Sequence, residues 1–247
     1  MEQSDHIPQD DSRPVESLAQ SGRSTESPLG DLRRPSETGQ TITIETERGG
    51  LKGVLHHKDA NIKAIILVGG IDGGFDGPSD LYPDVAEELM SANISSLRLD
   101  FRVHGSPGNL TEAEYDMVQG IDYLKDLGIR NIALVGHSFG GAVVITVAHQ
   151  IEEVKAVVAL SSQTYGTRPV AKISPRPLLL VHGGDDQRLP PSCSEYIYAR
   201  ALEPKELVIL PGATHSLRQR REDVFKLLGT WLKEKLVVSP YLRQGSG

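Results

Sequence analysis

The position best suited to covalent chemistry is a serine in the segment Gly-His-Ser-Phe-Gly at residues 136–140. Apolar runs precede and follow this segment, which is typical of a turn that joins a strand to a helix. Such a turn gives Ser138 a positive φ and holds its hydroxyl clear of the backbone. Gly136 and Gly140 leave room for the helix to fold back against the strand. The pattern predicts that Ser138 is a nucleophile.

A serine nucleophile needs a base to accept its proton, and the base needs a carboxylate to orient it. The turn around Ser138 predicts that the acid and then a histidine follow it along the chain. A predicted buried strand is followed by Asp185 and Asp186, and the next apolar run is followed by His215. Because parallel strands end at one edge of a sheet, these side chains are expected near Ser138. Chemistry alone allows either aspartate to be the acid.

The elements needed to position these residues are present from residue 41 onward, where strand and helix signals alternate. This alternation is typical of a largely parallel sheet with helices on both faces. Residues 41–47 and 51–57 are predicted to open the sheet as an antiparallel hairpin. The segment after Ser138 is apolar nearly all round, which indicates a helix buried at the centre of the fold.

Together these motifs resemble the α/β-hydrolase superfamily, over about residues 41 to 237. The resemblance rests on the pentapeptide around Ser138, on His182-Gly183 with Asp186 and Leu189-Pro190, and on residues 212–215. It implies the α/β-hydrolase fold, with a mostly parallel eight-stranded sheet and helices on both faces. The chain is similar to small dienelactone-hydrolase-like or acyl-peptidase-like serine members. The superfamily spacing of His-Gly, two residues and Asp makes Asp186 the implied catalytic acid.

The resemblance also implies an oxyanion hole made of two backbone N–H groups. One belongs to Phe139, directly after the nucleophile. The other belongs to the loop after the predicted strand at residues 64–68, where Ile71 is the implied donor by position. Many superfamily members have His-Gly where this chain has Gly69-Gly70.

The loop after residue 68 also carries Asp72, Asp76 and Asp80 among glycines. These residues lack the glutamate and the spacing of an EF-hand, so we expect no metal site. No cofactor is predicted either, because the triad chemistry needs none.

Other conspicuous side chains have a functional and a structural interpretation. His137 is expected to pack or to support the site rather than to act as the base, since its neighbour Ser138 points the opposite way. The run Arg218, Arg220 and Arg221 beside His215 suits recognition of an acidic substrate group, but a solvated helix start is the commoner explanation.

Residues 1–40 contain few large apolar side chains and carry −4 of the total charge of −7. They are predicted to be a disordered tail, followed by a hydrolase domain at residues 41–237 and a second tail at residues 238–247. No basic face for nucleic acid is expected, and no apolar run is long enough for a membrane span. Cys193 is the only cysteine and is expected in the core at helical spacing with Ile197. The missing signal peptide and disulfide pair predict a cytoplasmic protein.

Only residues 161–177 lie where superfamily members insert a cap, so no cap domain and an open site are expected. The sequence therefore predicts a serine hydrolase that cleaves an ester or related acyl bond in a small molecule. The same triad would serve an acyltransferase, a thioesterase or a perhydrolase, and a non-catalytic binding protein can share the fold. The oligomeric state is not indicated by the sequence.

Overall fold

The computed structural model describes residues 39–104 and 109–236 of the chain. The described strands are β1 (Gln40–Ile44), β2 (Leu51–His56), β3 (Lys63–Val68), β4 (Ser95–Asp100), β5 (Asn131–His137), β6 (Val154–Leu160), β7 (Leu178–Gly183) and β8 (Lys205–Leu210). The α-helices are α1 (Leu81–Ser91), α2 (Leu110–Asp126), α3 (Phe139–Ala148), α4 (Ser192–Arg200) and α5 (Arg221–Leu236). Short 3-10 helices lie at Pro78–Asp80, Arg168–Ile173 and Arg218–Arg220.

The strands form one sheet in the order β1-β2-β4-β3-β5-β6-β7-β8. β1 pairs antiparallel with β2, and β2 pairs antiparallel with β4, whereas the pairs from β4 to β8 are parallel. The predicted opening hairpin and the mostly parallel eight-stranded sheet are therefore confirmed. Gln40, which the sequence analysis assigns to the tail, lies in β1 and pairs with Leu55 of β2.

Helices cover both faces of the sheet. The central strands are therefore continuous apolar runs and do not alternate between apolar and polar residues. On one face, helices α2, α3 and α4 contribute Met117, Val143 and Ile197 to a buried cluster. On the other face, helices α1 and α5 contribute Leu89 and Trp231 to a second cluster. The carboxyl ends of β3, β5, β6, β7 and β8 consequently meet at one edge, where the candidate site lies.

No cap domain is present among the described residues, because the connection from β6 to β7 contains only the 3-10 helix at Arg168–Ile173. Within the same described part of the chain, no helix has the length and apolarity required to cross a membrane. The tails predicted at residues 1–40 and 238–247 lie outside the described residues, apart from residues 39 and 40.

The expectation that Cys193 belongs to the core is wrong. Helix α4 buries Ser194 and Ile197, and Cys193, one position earlier, is only partly buried. Partial burial and the nearby Asp186 carboxylate raise the pKa of the Cys193 thiol.

Candidate active site

A sharp turn between β5 and α3 carries Ser138, which has a φ of 54° and a ψ of −112°. The predicted positive φ is thus present in the structure. A Cβ added to Gly136 would lie 2.2 Å from the carbonyl oxygen of Gly140, and one added to Gly140 would lie 2.3 Å from that of Gly69. Both positions therefore require glycine: at Gly136 the helix returns directly over the strand, and at Gly140 the helix packs against the end of β3. The Ser138 N–H donates to the carbonyl of Leu160, which ties the turn to β6.

The structure brings Ser138, His215 and Asp186 together in a chain of hydrogen bonds. Nδ1 of His215 lies 2.7 Å from Oδ2 of Asp186, and Nε2 of His215 lies 3.0 Å from Oγ of Ser138. A carboxylate can only accept, so Nδ1 of His215 carries the proton. In the neutral ring Nε2 is then free to accept the hydroxyl proton of Ser138.

Asp186 is held by the loop between β7 and α4. Its Oδ1 accepts the backbone N–H groups of Arg188 and Leu189, each at 2.9 Å. Burial acts to raise the pKa of Asp186, but the N–H of Leu189, the ring of His215 and the N–H of Arg188 outweigh it. The pKa of Asp186 is therefore below its ordinary value, and the carboxylate stays ionised beside His215.

The choice between the two adjacent aspartates follows from their burial and contacts. Asp186 is 4% exposed and contacts His215, whereas Asp185 is exposed and has only its backbone N–H bonded, to the carbonyl of Ala213. The structure thus places Asp186, and not Asp185, in contact with His215.

The two expected oxyanion donors flank Ser138 from different elements. Phe139 is the first residue of α3, and its buried ring packs edge-on against Phe101 at a centroid distance of 6.1 Å. Ile71 follows β3 and lines the same cavity as Ser138. The loop that carries Ile71 is anchored by Asp100, whose Oδ1 accepts the N–H of Gly74 at 2.8 Å.

The cavity beside Ser138 has a volume of about 240 Å³. The loop after β3, the turn at Ser138 and the loops after β7 and β8 form its walls. The residues that line it are Gly69, Gly70, Ile71, Asp72, Gly73, Gly77, Pro78, Ser79, His137, Ser138, Arg188, His215 and Ser216. Ser138 is only 8% exposed, so a substrate reaches it through this cavity.

The aspartates of the loop after β3 do not converge. Asp72 lies 3.7 Å from Arg188 across the cavity, and Asp76 pairs with Arg98 at 2.8 Å. Asp80 precedes helix α1. Among the described residues, no group of three or more His, Cys, Asp or Glu side chains is arranged to hold a metal ion.

Arg221 has a role that the sequence did not reveal. Its guanidinium donates to the carbonyls of Ser79 and Asp80 and to the carboxylate of Asp84. Ser79 and Asp80 both have positive φ, of 51° and 54°, and Ser79 lines the cavity. Arg221 therefore stabilises a strained wall of the cavity. Neither interpretation from the sequence, recognition of an acidic substrate group or a solvated helix start, describes this role. No local sequence signal connects positions so far apart.

His137 contacts the site directly. Its Nε2 lies 3.0 Å from the backbone carbonyl oxygen of His215, and the two imidazole rings are 4.9 Å apart. This contact agrees with the expectation that His137 supports the site. Its partner could not be read from the sequence, because the partner lies 78 residues further along the chain.

Comparison with known proteins gives a family-model match and several relatives of low sequence identity. A model of the alpha/beta hydrolase family matches residues 65–174. The uncharacterized protein YfhR of Escherichia coli O157:H7 is 27% identical over 169 residues, which cover 56% of this chain and 60% of YfhR. The chain thus spans about three fifths of the length of this relative.

Two solved structures share the fold at low sequence identity. The dienelactone hydrolase from Anabaena variabilis ATCC 29413 is 21% identical with a TM-score of 0.71, covering 80% of this chain and 98% of the neighbour. Est1E from Butyrivibrio proteoclasticus is 21% identical with a TM-score of 0.69, covering 80% of this chain and 99% of Est1E. The chain therefore has the fold of these hydrolases, and residues 65–174 match the alpha/beta hydrolase family model.

Proposed function

We propose that this protein is a serine hydrolase that cleaves an ester or related acyl bond through an acyl-enzyme. The observation that carries the proposal is the continuous chain of hydrogen bonds from Ser138 through His215 to Asp186. A protein that only binds a ligand needs no such chain. The name of the Anabaena neighbour agrees with the proposal, since a lactone is a cyclic ester.

The first half of the reaction forms the acyl-enzyme. Oγ of Ser138 attacks the acyl carbonyl carbon while its proton passes to Nε2 of His215, and the carbonyl electron pair moves onto oxygen. Asp186 stabilises the imidazolium that results. The intermediate collapses, the bond to the leaving group breaks, and the leaving group takes the proton from Nε2.

The second half releases the acid. A water molecule loses a proton to His215 as its oxygen attacks the acyl carbon. Collapse of this second intermediate breaks the bond to Oγ, which regains the proton, and the carboxylic acid leaves. The N–H groups of Phe139 and Ile71 are proposed to stabilise both oxyanions, and loss of one such donor typically costs about a hundredfold or more in rate.

A fluorophosphonate probe tests the proposal, because it labels an activated serine covalently. We expect the wild-type protein to be labelled and to hydrolyse 4-nitrophenyl acetate, and Ser138→Ala to do neither. Ser162→Ala is the matched control, since Ser162 is a buried serine that bonds a backbone carbonyl and makes no contact with His215. Labelling of Ser138→Ala, or a folded wild-type protein that is neither labelled nor active, would refute the proposal.

A further inference from the structure

The protonation state of His137 follows from its surroundings. A carbonyl oxygen only accepts, so Nε2 of His137 carries a proton and donates it to the carbonyl of His215. Burial is the largest effect on this ring and lowers the pKa of His137 to about 4. The ring is therefore neutral near pH 7, and its Nδ1 keeps an unshared electron pair.

Nδ1 of His137 is free to accept a hydrogen bond. Among residues 39–104 and 109–236, no group donates a hydrogen bond to this nitrogen. It is also not among the side-chain atoms that are both fully buried and without a hydrogen-bond partner. His137 lines the same cavity as Ser138, so an incoming molecule meets this nitrogen.

Gly70 keeps the space in front of this nitrogen open. A Cβ added to Gly70 would lie 3.7 Å from Nδ1 of His137 and 3.8 Å from Oγ of Ser138. Both atoms thus adjoin one small region of the cavity. A group placed there would be close to the nucleophile and to the acceptor at the same time.

We propose that Nδ1 of His137 selects substrates that carry a hydroxyl a few bonds from the scissile carbonyl, by accepting a hydrogen bond from that hydroxyl. The inference rests on the proposed function of Ser138 and names its substrate class as hydroxyacyl esters. The two ring nitrogens then have separate tasks: Nε2 positions the loop of His215, and Nδ1 recognises the substrate.

The wild-type protein provides the first test. The kcat/KM ratio of ethyl 3-hydroxybutyrate to ethyl butyrate, and of ethyl lactate to ethyl propionate, is measured by titrating the released acid. One net hydrogen bond predicts a ratio of about two- to tenfold for at least one pair. Ratios of one or below for both pairs would overturn the inference while leaving the proposed function intact. Absence of hydrolysis and of fluorophosphonate labelling would overturn both.

Two variants separate the tasks of the ring nitrogens. His137→Gln can place an amide N–H near the position of Nε2 but has no acceptor at that of Nδ1, so the ratio should fall to about one. His137→Asn can place its amide oxygen near the position of Nδ1 but cannot reach the carbonyl of His215. It should keep a ratio above one while losing more kcat on the plain ester than His137→Gln does.

The ratio of the two kcat/KM values does not respond to a general loss of activity, because such a loss lowers kcat/KM equally for both esters of a pair. His149→Gln is the matched control, since His149 lies at the far end of α3, away from the cavity, and should change neither the ratio nor kcat. A ratio that survives in His137→Gln, or one that falls equally in His149→Gln, would show that another group recognises the hydroxyl. If the His137 variants do not fold, the wild-type kcat/KM ratios still test whether the protein prefers hydroxyacyl esters.

Discussion

The turn at Ser138 and the loops beside it are held in place by different forces. In the turn, a Cβ at Gly136 would overlap backbone atoms of α3, and a Cβ at Gly140 would overlap the carbonyl of Gly69 directly after β3. In the flanking loops, carboxylates accept backbone N–H groups: Asp100 binds that of Gly74, and Asp186 binds those of Arg188 and Leu189. Steric exclusion fixes the nucleophile, whereas polar contacts fix the groups around it.

This difference has consequences for how substitutions act. Backbone overlap cannot be relieved without moving an element of the sheet, so a change in the turn should affect the whole fold. A lost carboxylate contact leaves the strands and helices in place and displaces one loop. Stability and catalysis should therefore respond together in the turn and separately in the loops.

The largest effect is expected from Gly136→Ala. The added methyl would lie 2.2 Å from the carbonyl oxygen of Gly140, so β5 and α3 must separate. We expect the free energy of unfolding to fall by more than about 4 kcal/mol. We also expect fluorophosphonate labelling to be lost. Urea denaturation measures the first and labelling the second.

Gly229→Ala in α5 is the control, because its methyl would meet only Cγ of Glu88, at 3.6 Å. It should be neutral or stabilise the protein by up to about 1 kcal/mol. A stable, labelled Gly136→Ala protein would mean that the turn is not sterically fixed.

The next largest effect separates the two adjacent aspartates. Asp186→Asn should lower kcat about ten-thousandfold, because an amide cannot hold the tautomer of His215 that accepts the serine proton. Asp185→Asn, at an exposed position with no side-chain contact to His215, should be mild. Both variants should remain folded, and the reverse ranking of their kcat values would reject the assignment.

Asp186 also predicts a dependence of stability on pH. The pKa of Asp186 is lower in the folded protein than in the unfolded chain, so its ionised form stabilises the fold. This stabilising effect is complete above the unfolded pKa of about 4. It is lost as pH falls through the folded pKa. Between pH 6 and pH 3 the wild type should lose more stability than Asp186→Asn does. Equal losses in urea denaturation would contradict this sign.

The contrast between turn and loops also explains what the sequence could predict. Gly136 is required by a contact with Gly140, only four residues further along, so this part of the motif around Ser138 can be recognised locally. His215 is predicted from its place after an apolar run, and Asp186 is distinguished from Asp185 by the superfamily spacing. The contact of His137 with His215, and the brace from Arg221 to Ser79, join residues that are 78 and 142 positions apart. Such contacts depend on loop geometry that periodicity does not encode.

A moderate effect is expected at Asp100, which anchors the loop of Ile71. Asp100→Ala removes the acceptor for the N–H of Gly74 and for the ring of His104, both at 2.8 Å. If Ile71 supplies an oxyanion donor, kcat should fall about tenfold or more with little change in KM, because the lost interaction acts on the transition state. Asp122→Ala is the control, since within the described part of the chain Asp122 pairs only with Lys125 on α2. A KM effect alone would assign the loop to substrate binding.

The smallest effect concerns acyl chain length. A buried methylene contributes about 0.8 kcal/mol, or roughly fourfold in kcat/KM, when apolar walls enclose it. The cavity of about 240 Å³ is lined mainly by glycines and polar side chains, with Ile71 and Pro78 as its larger apolar groups. We therefore expect kcat/KM for 4-nitrophenyl esters to level off near butyrate. A fourfold rise per methylene continuing to octanoate would show that the loop after β3 or residues 161–177 fold over the acyl chain.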